Sequence, residues 1–166
     1  MPLNLLKKYN NLLELDGMSE PDRNKSLQGI FRRDFIDNHV FFRKNTVIPT
    51  PKEGKDTMDV LFDHLTKRDY EKDNHREYDR MRAVRLHWVR HHILEGTPKA
   101  IDVFSVIDKK GIRTYIFDRN ESYVVVLEPR VKDGIKHYYL ITAYHSQGKD
   151  LFKLESKAKR RLPDIH

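Results

Sequence analysis

The sequence predicts an α+β fold in which an N-terminal helical and mixed region precedes a long helix packed on a four-stranded antiparallel sheet. Three observations support this prediction. Apolar residues recur at helical spacing in several segments before residue 96. Beyond that point the pattern changes to β-rich segments, and four of these follow one another across short polar turns. The length of 166 residues is that of one domain, or of a compact domain with an N-terminal extension.

The first 65 residues alternate between helical and extended patterns. Residues 3–15 and 22–38 carry apolar side chains at helical spacing, so each segment is predicted to form a helix. Residues 40–43 and 46–48 are predicted to be short strands because they are rich in β-branched and aromatic side chains. Residues 57–65 predict a further short helix with one apolar face.

A boundary is predicted near residue 70. Residues 66–79 are polar and dense in charges of both signs, which is typical of a linker or of a solvated lead-in to a helix. The sequence therefore divides into an N-terminal mixed helical region, 1–70, and a catalytic-looking core, 71–166. A long helix follows the boundary, and Gly96 and Pro98 predict its end.

The rest of the chain predicts the sheet. Residues 101–107, 113–117, 123–127 and 137–144 are the predicted strands, and the third of them should be central because it is almost wholly apolar. Residues 151–162 close the chain as a basic helix or tail.

The composition favours an anionic partner. Thirty-two Lys and Arg residues exceed 25 Asp and Glu residues, so the net charge is +7. Nucleic acid is the first partner to consider, although a basic protein without such a partner has the same composition. The absence of cysteine excludes disulfides, thiolate zinc sites and cysteine nucleophiles. We found neither a signal-peptide pattern nor a membrane-length apolar run, so a cytoplasmic location and no membrane partner are expected.

The segment 81–93 is the richest in chemistry. It contains the only tryptophan, Trp88, together with three arginines and three histidines. Wound as a helix, it places Arg82 and Arg85 within the same arc as Trp88. A buried guanidinium requires a carboxylate, a carbonyl or an anionic ligand, and a phosphate-binding cleft would supply one. His91 and His92 are expected at the wet or fraying end of this helix.

Several chemistries are disfavoured. His87 and His91 are four residues apart and could chelate zinc, but no third ligand is evident and the neighbouring arginines repel a cation. No metal or other cofactor is therefore expected. No serine lies in a nucleophile elbow, and no glycine-rich phosphate loop precedes a helix.

Metal-free RNA cleavage fits the residues better. It needs a base for the ribose 2′-hydroxyl, an acid for the 5′-oxygen and fixed positive charge on the phosphorane. Histidine can transfer either proton, and arginine supplies the charge. Thr142 and Tyr144 share one face of the last strand with Leu140, and His145 needs a bulge or the strand end to join them.

Each of these residues also has a purely structural interpretation. His87 taken alone is expected at the surface, and Trp88 is expected in the core rather than as a base-stacking platform. Arg113 could simply pair with Asp118. The basic C-terminal segment is first a solvated helix and only second a clamp for phosphates.

The order of four segments resembles a nuclease family. Residues 82–89 (RAVRLHWV), 113–116 (RTYI), 123–127 (YVVVL) and 139–144 (YLITAY) resemble, in order and spacing, the phage-associated branch of the BECR nucleases, which unite barnase, EndoU and RelE-like toxins. The likeness covers residues 76–160, and residues 25–66 only loosely.

This resemblance implies a metal-independent ribonuclease, of a phage or toxin type, whose active site lies on the concave face of the sheet. RNA is the implied partner, and an immunity or antitoxin protein is a possible second one. The implied phosphate binders are Arg85 and Arg113. The implied orienting or proton-relay groups are Tyr115, Thr142 and Tyr144. The acid/base candidate is His87 or His145. The expected substrate-binding residues are Arg82, Arg90, Lys157 and Arg160.

Two alternatives stay open. Residues 82–87 spell Arg-x-x-x-x-His, the pattern of HEPN ribonucleases, which are helical bundles; the four predicted strands argue against that family. The second alternative is a non-enzymatic protein of a mobile element that binds nucleic acid or an acidic partner, because the basic charge favours it equally well.

Overall fold

The structure, a computed structural model, describes residues 2–70 and 75–166. It has the predicted α+β class. The helices are α1 Pro2–Leu5, α2 Glu20–Phe31, α3 Thr57–Thr66, α4 Arg80–Ala83, α5 Leu86–Ile93 and α6 Gly148–Lys159, and a π-helical turn, Arg32–Ile36, extends α2. The strands are β1 Val40–Phe42, β2 Asn45–Pro49, β3 Lys67–Tyr70, β4 His75–Tyr78, β5 Ile101–Asp108, β6 Gly111–Asp118, β7 Tyr123–Lys132 and β8 Ile135–His145.

The main sheet is six-stranded and mixed, so the predicted four-stranded antiparallel sheet is wrong in strand number and in pairing. Its order is β1-β2-β8-β7-β6-β5. The meander β5–β8 is antiparallel as expected, but the β1/β2 hairpin joins its edge through parallel pairing of β2 with β8, with Val47 opposite Tyr138. Short turns predict which neighbours in sequence pair, whereas this contact joins strands far apart in the chain.

The predicted long helix is two shorter ones. α4 begins at Arg80, where the side chain of Asp79 caps it by accepting a hydrogen bond from the Arg82 amide. Arg85 (φ −113°, ψ 14°) breaks the helical path, and α5 starts at Leu86. A β3/β4 hairpin precedes α4 in place of a linker or lead-in. Part of that segment, residues 71–74 beside the predicted 70/71 boundary, lies outside the described residues.

Gly96 follows the end of α5 but does not form the predicted glycine cap. The residue with a left-handed backbone is Glu95 (φ 53°), and the Gly96 amide donates a hydrogen bond of 3.0 Å to the His91 carbonyl. A Cβ atom on Gly96 would lie 2.4 Å from the His91 ring. Glycine therefore leaves space for the His91 ring in its present position.

Apolar side chains cover both faces of the sheet. The larger cluster joins α2, α3 and α5 to one face and includes Ile30, Leu65, Trp88 and Leu127. Helix α6 covers part of the other face, where Leu154 belongs to the smaller cluster. The N-terminal region and the meander thus share one core as well as one sheet. None of the described helices is long and apolar enough to cross a membrane.

A bulge in β8 changes which side chains share a face. Val126 pairs with Thr142, but the next residue, Leu127, pairs with Leu140, so Ile141 is an extra residue in β8. Leu140 belongs to the larger cluster, whereas Tyr144 packs against the smaller one. The predicted common face of Leu140 and Thr142 is therefore wrong, because strict alternation does not continue through the bulge.

Candidate functional site

A cleft of about 220 Å³ lies at the C-terminal end of β8. We refer to it as the β8 cleft. Elements that are distant in sequence contribute its lining side chains, which are Arg68, Asp79, Met81, Arg82, Tyr144, His145 and Asp150. Strand β3 supplies the first of these, the start of α4 the next three, the end of β8 two and the first turn of α6 the last.

Arg82 is held in a fixed position in this cleft. Its Nη1 donates to the His64 carbonyl at 2.8 Å and to Thr142 Oγ1 at 3.2 Å. Its Nε lies 3.5 Å from Asp79 Oδ2, and its Cζ is 5.7 Å from the centre of the Tyr144 ring. Burial lowers the pKa of Arg82, but a guanidinium remains charged in proteins. The contacts leave a positioned cation beside Tyr144.

Tyr144 carries a proton throughout the physiological range. Burial, followed by the effects of Tyr115 and Asp150, raises its pKa to about 12. A phenol of this kind acts as a hydrogen-bond donor to an oxygen that develops negative charge.

His145 is a neutral imidazole at neutral pH. Burial lowers its pKa first, and the positive charge of Arg85 lowers it further. Its Nδ1 is buried and has no hydrogen-bond partner among the described residues. A neutral histidine in a cleft can accept a proton.

Arg85 lies behind this cleft. Only 8% of its surface is exposed, its Nη1 donates to the Met81 carbonyl at 2.9 Å, and its Cζ is 5.2 Å from the centre of the Trp88 ring. Its charge affects His145 even though its side chain is not part of the cleft lining. The predicted orientation of Arg82 and Arg85 towards buried surroundings thus agrees with the structure.

The structure brings together four of the predicted residues, Arg82, Thr142, Tyr144 and His145, at the β8 cleft. Tyr115 lies on the same face of the sheet, two strands from Thr142, and affects the pKa of Tyr144, but neither it nor Arg113 lines the cleft. Arg113 Nη2 forms a salt bridge of 2.8 Å with Glu128 rather than with Asp118. Residues 113 and 118 are an odd number of positions apart on one strand, so their side chains point to opposite faces.

The remaining predicted residues do not line the β8 cleft. Tyr115 accepts a hydrogen bond of 2.8 Å from Lys157 Nζ, which ties α6 to the sheet. Arg160 is exposed at the C-terminal cap of α6. His87 and Arg90 line a second cleft beside the N-terminal segment. The surface position expected for His87 is wrong, because only 6% of this residue is exposed.

His92 does not lie at a wet helix end, and this expectation is also wrong. It is fully buried; its Nδ1 is 2.8 Å from the Trp88 carbonyl and its Nε2 is 3.3 Å from Asp118 Oδ2. The Tyr9 hydroxyl donates to the same carboxylate oxygen at 2.7 Å. His91 stacks on Tyr9, with ring centres 3.8 Å apart. The N-terminal segment covers this end of α5, which helix periodicity alone does not reveal.

Sequence reasoning missed Arg68, Asp79 and Asp150 as members of the cleft. Asp79 had a usable signal, because an aspartate just before a helical pattern is a typical N-cap. Arg68 and Asp150 had none, since they reach the cleft only through tertiary packing. Among the described residues, no group of three or more His, Asp or Glu side chains is arranged to hold a metal ion.

The comparisons with known proteins leave the site to be judged by its own geometry. No family model, no curated protein and no solved structure matches this chain.

Proposed function

We propose that this protein is a metal-independent endoribonuclease whose active site is the β8 cleft. One observation carries the proposal: a guanidinium, a protonated phenol and a neutral imidazole, those of Arg82, Tyr144 and His145, line the same cleft. These are the three kinds of group that cleavage by the ribose 2′-hydroxyl requires.

His145 is the general base in this reaction. It removes the proton from the 2′-hydroxyl, and the 2′-oxygen forms a bond to phosphorus. The bond between phosphorus and the 5′-oxygen breaks, which leaves a 2′,3′-cyclic phosphate and a free 5′-hydroxyl. The lowered pKa of His145 keeps its imidazole unprotonated at neutral pH, so the base is ready to accept the proton of the 2′-hydroxyl.

Tyr144 is the proton donor to the leaving 5′-oxygen. An alkoxide is a much stronger base than a phenolate, so even a phenol with a pKa of about 12 can protonate it. The proton held by His145 returns to the tyrosinate through water and completes the cycle. Tyr144 is one residue from His145, so both groups reach the cleft from the end of β8.

Arg82 stabilises the phosphorane. Its hydrogen bonds to Thr142 and to the His64 carbonyl fix its direction before substrate binds, which reduces the reorganisation needed in the transition state. Arg68 adds a second cation to the lining, while Asp79 and Asp150 keep the cleft from being uniformly positive. Arg85 contributes positive potential from behind.

Two further features support the proposal. The net charge of +7 favours contact with an RNA backbone. The order of segments 82–89, 113–116, 123–127 and 139–144 resembles that of the BECR nucleases, whose members include toxins. The proposal accordingly includes a toxin-type effector of phage origin, held in check by an immunity or antitoxin protein.

The test is RNA cleavage by purified protein in the presence of EDTA. We expect products that end in 2′,3′-cyclic phosphate, and a loss of about a hundredfold or more in kcat/KM for His145→Ala and for Arg82→Ala. His137→Ala, at the other end of β8, is the matched control and should retain activity. Tight RNA binding without turnover by folded wild-type protein would instead establish a non-enzymatic binder.

A further inference from the structure

A second cleft, of about 370 Å³, lies between α5 and the N-terminal segment. We refer to it as the α5 cleft. Its lining shares no residue with the β8 cleft and consists of Lys7, Tyr9, Arg33, Asp34, His87, Arg90, His91, Leu94 and Gly96. Three cations and two histidines thus face one carboxylate.

Three nitrogen atoms in this lining are buried and lack partners. They are His87 Nδ1, Arg90 Nε and His91 Nε2, none of which has a hydrogen-bond partner among the described residues. His87 is the most telling of the three, because more than nine-tenths of its surface is buried. Buried polar nitrogens without partners are costly unless a ligand or water satisfies them. Arg90 Nε is a donor, and a protonated imidazole donates from both ring nitrogens, so the concentration of these atoms in one cleft indicates a ligand that accepts hydrogen bonds.

The charges in the cleft indicate that this ligand is anionic. Asp34 is already neutralised, since Arg33 donates to its two oxygens at 2.7 and 3.0 Å. Lys7 is paired with Glu14 at 2.7 Å. Arg90 forms no ion pair within the described part of the chain and therefore supplies uncompensated positive charge.

We propose that the α5 cleft binds a phosphate group through the Arg90 guanidinium and the imidazoles of His87 and His91. A guanidinium presents a planar set of donors that matches phosphate oxygens, and imidazolium adds charge-assisted hydrogen bonds. This inference stands apart from the proposed nuclease activity, because it uses none of the residues of the β8 cleft.

Phosphate binding in this cleft takes up a proton. His87 Nε2 lies 3.2 Å from the Lys8 carbonyl, so the hydrogen of the neutral ring is on Nε2 and Nδ1 is a bare acceptor. An anion can bind at Nδ1 only when the ring gains a second proton. Burial lowers the pKa of His87, so the empty cleft holds a neutral ring at neutral pH.

The groups that face His87 set the direction of this coupling. Burial lowers its pKa most, the backbone of Lys8 and Asn11 and the charge of Asp34 raise it, and Arg33 lowers it. The cations Lys7 and Arg90 also line the cleft with the ring of His91. The negative charge of a bound dianion would offset the positive charge of these cations and raise the pKa of His87, which favours the protonated ring. Affinity for phosphate should therefore rise as the pH falls.

The N-terminal segment shapes the cleft. Tyr9 stacks on His91 with ring centres 3.8 Å apart, and its hydroxyl is anchored to Asp118 at 2.7 Å. Gly96 leaves room for the His91 ring on the other side. These contacts hold His91 in place without a hydrogen bond to its Nε2.

The test is titration of the full-length protein with inorganic phosphate by calorimetry, between pH 5.5 and 8, in buffers of different ionisation enthalpy. We expect saturable binding and, once the protons that phosphate itself gains or loses in this range are subtracted, proton uptake by the protein and tighter binding of the dianion at low pH. Arg90→Ala should weaken binding by about tenfold or more. His87→Gln keeps a donor for the Lys8 carbonyl but cannot gain a proton, so its affinity should lose most of the dependence on pH.

Arg32→Ala is the matched control, since this arginine is exposed and does not line the cleft. Circular dichroism and thermal unfolding verify that each variant is folded. No saturable binding by wild-type protein, or equal affinity in folded Arg90→Ala and wild-type protein, would overturn the proposal. A 5′-phosphorylated dinucleotide identifies the source of the phosphate: tighter binding than inorganic phosphate indicates a nucleic-acid end, and equal binding indicates free phosphate.

Discussion

Arg82 and Thr142 are joined by a hydrogen bond of 3.2 Å from Nη1 to Oγ1, although they lie 60 residues apart in the chain. This contact links the first turn of α4 to the end of β8 and fixes the cation beside Tyr144. Because of the bulge at Ile141, Thr142 shares a face of β8 with Tyr144 and not with Leu140.

Thr142→Val tests whether this contact matters for activity. Valine keeps the volume and β-branching but cannot accept the hydrogen bond, so Arg82 loses one of its two anchors. We expect kcat to fall by about tenfold with little change in KM, because the loss of one net hydrogen bond is about 1–1.5 kcal/mol. Thr142→Ser keeps the acceptor and should retain activity. Equal kinetics for the valine and serine variants would contradict a positioning role.

Arg85→Met tests the electrostatic link between Arg85 and His145. The pKa of His145 is lowered below the ordinary histidine value of about 6.5, so activity should rise with pH through a value below that. Removing the positive charge of Arg85 raises the pKa of His145, and the acid limb of kcat/KM should move to higher pH.

Arg85→Lys is the control for this prediction, because it keeps the charge and should keep the wild-type acid limb. The measurement is a pH profile of kcat/KM for the three proteins between pH 4.5 and 8. An acid limb that is the same in all three would show that His145 does not sense Arg85.

Arg113→Ala should act on stability rather than on chemistry. Arg113 forms a 2.8 Å salt bridge with Glu128, and both side chains are about nine-tenths buried. The variant leaves Glu128 with only its pair to the half-exposed Arg130. We expect a loss of about 1–3 kcal/mol in the free energy of unfolding. Urea denaturation provides the measurement, and activity per folded molecule should stay near wild type.

Gly96→Ala tests whether this glycine is present to make room for the ring of His91. The added Cβ would lie 2.4 Å from that ring, so the ring must leave its stack on Tyr9. We expect destabilisation of about 1–3 kcal/mol. Gly29→Ala is the matched control: its Cβ meets only Leu5 Cδ2 at 3.9 Å, and alanine at this half-buried position within α2 should stabilise the protein by about 0.5–1 kcal/mol. Thermal unfolding of both variants distinguishes the two cases.

Local patterns predicted the elements of the chain well where their cause is local. The alternation and turn residues of residues 101–144 predicted the β5–β8 meander, and the apolar spacing of 57–65 predicted α3, because strands and helices place side chains at their own periods. The same reasoning failed for residues 3–15, of which only residues 3–5 are helical, as part of α1. There the chain instead forms a cover over α5, anchored by Tyr9 on Asp118.

The candidate site shows the same division. Its residue types were evident from the sequence: Arg82, Thr142, Tyr144 and His145 were all named as candidates for metal-free RNA cleavage. Their grouping at one cleft, which Arg113, Tyr115 and His87 do not line, was not evident. Side-chain direction on β8 depends on one bulged residue, and the path of α4 depends on the break at Arg85; neither has a periodic signal.

The sequence by itself thus determined the α+β class, the order of strands in the meander and the basic, cysteine-free chemistry, because these depend on composition and on contacts between neighbours in the chain. Only the tertiary structure decided that β2 extends the sheet in parallel, that His92 is buried against Asp118 and that Arg82 and Arg90 line different clefts. These features arise from packing between distant segments, where burial and pairing outweigh local preference.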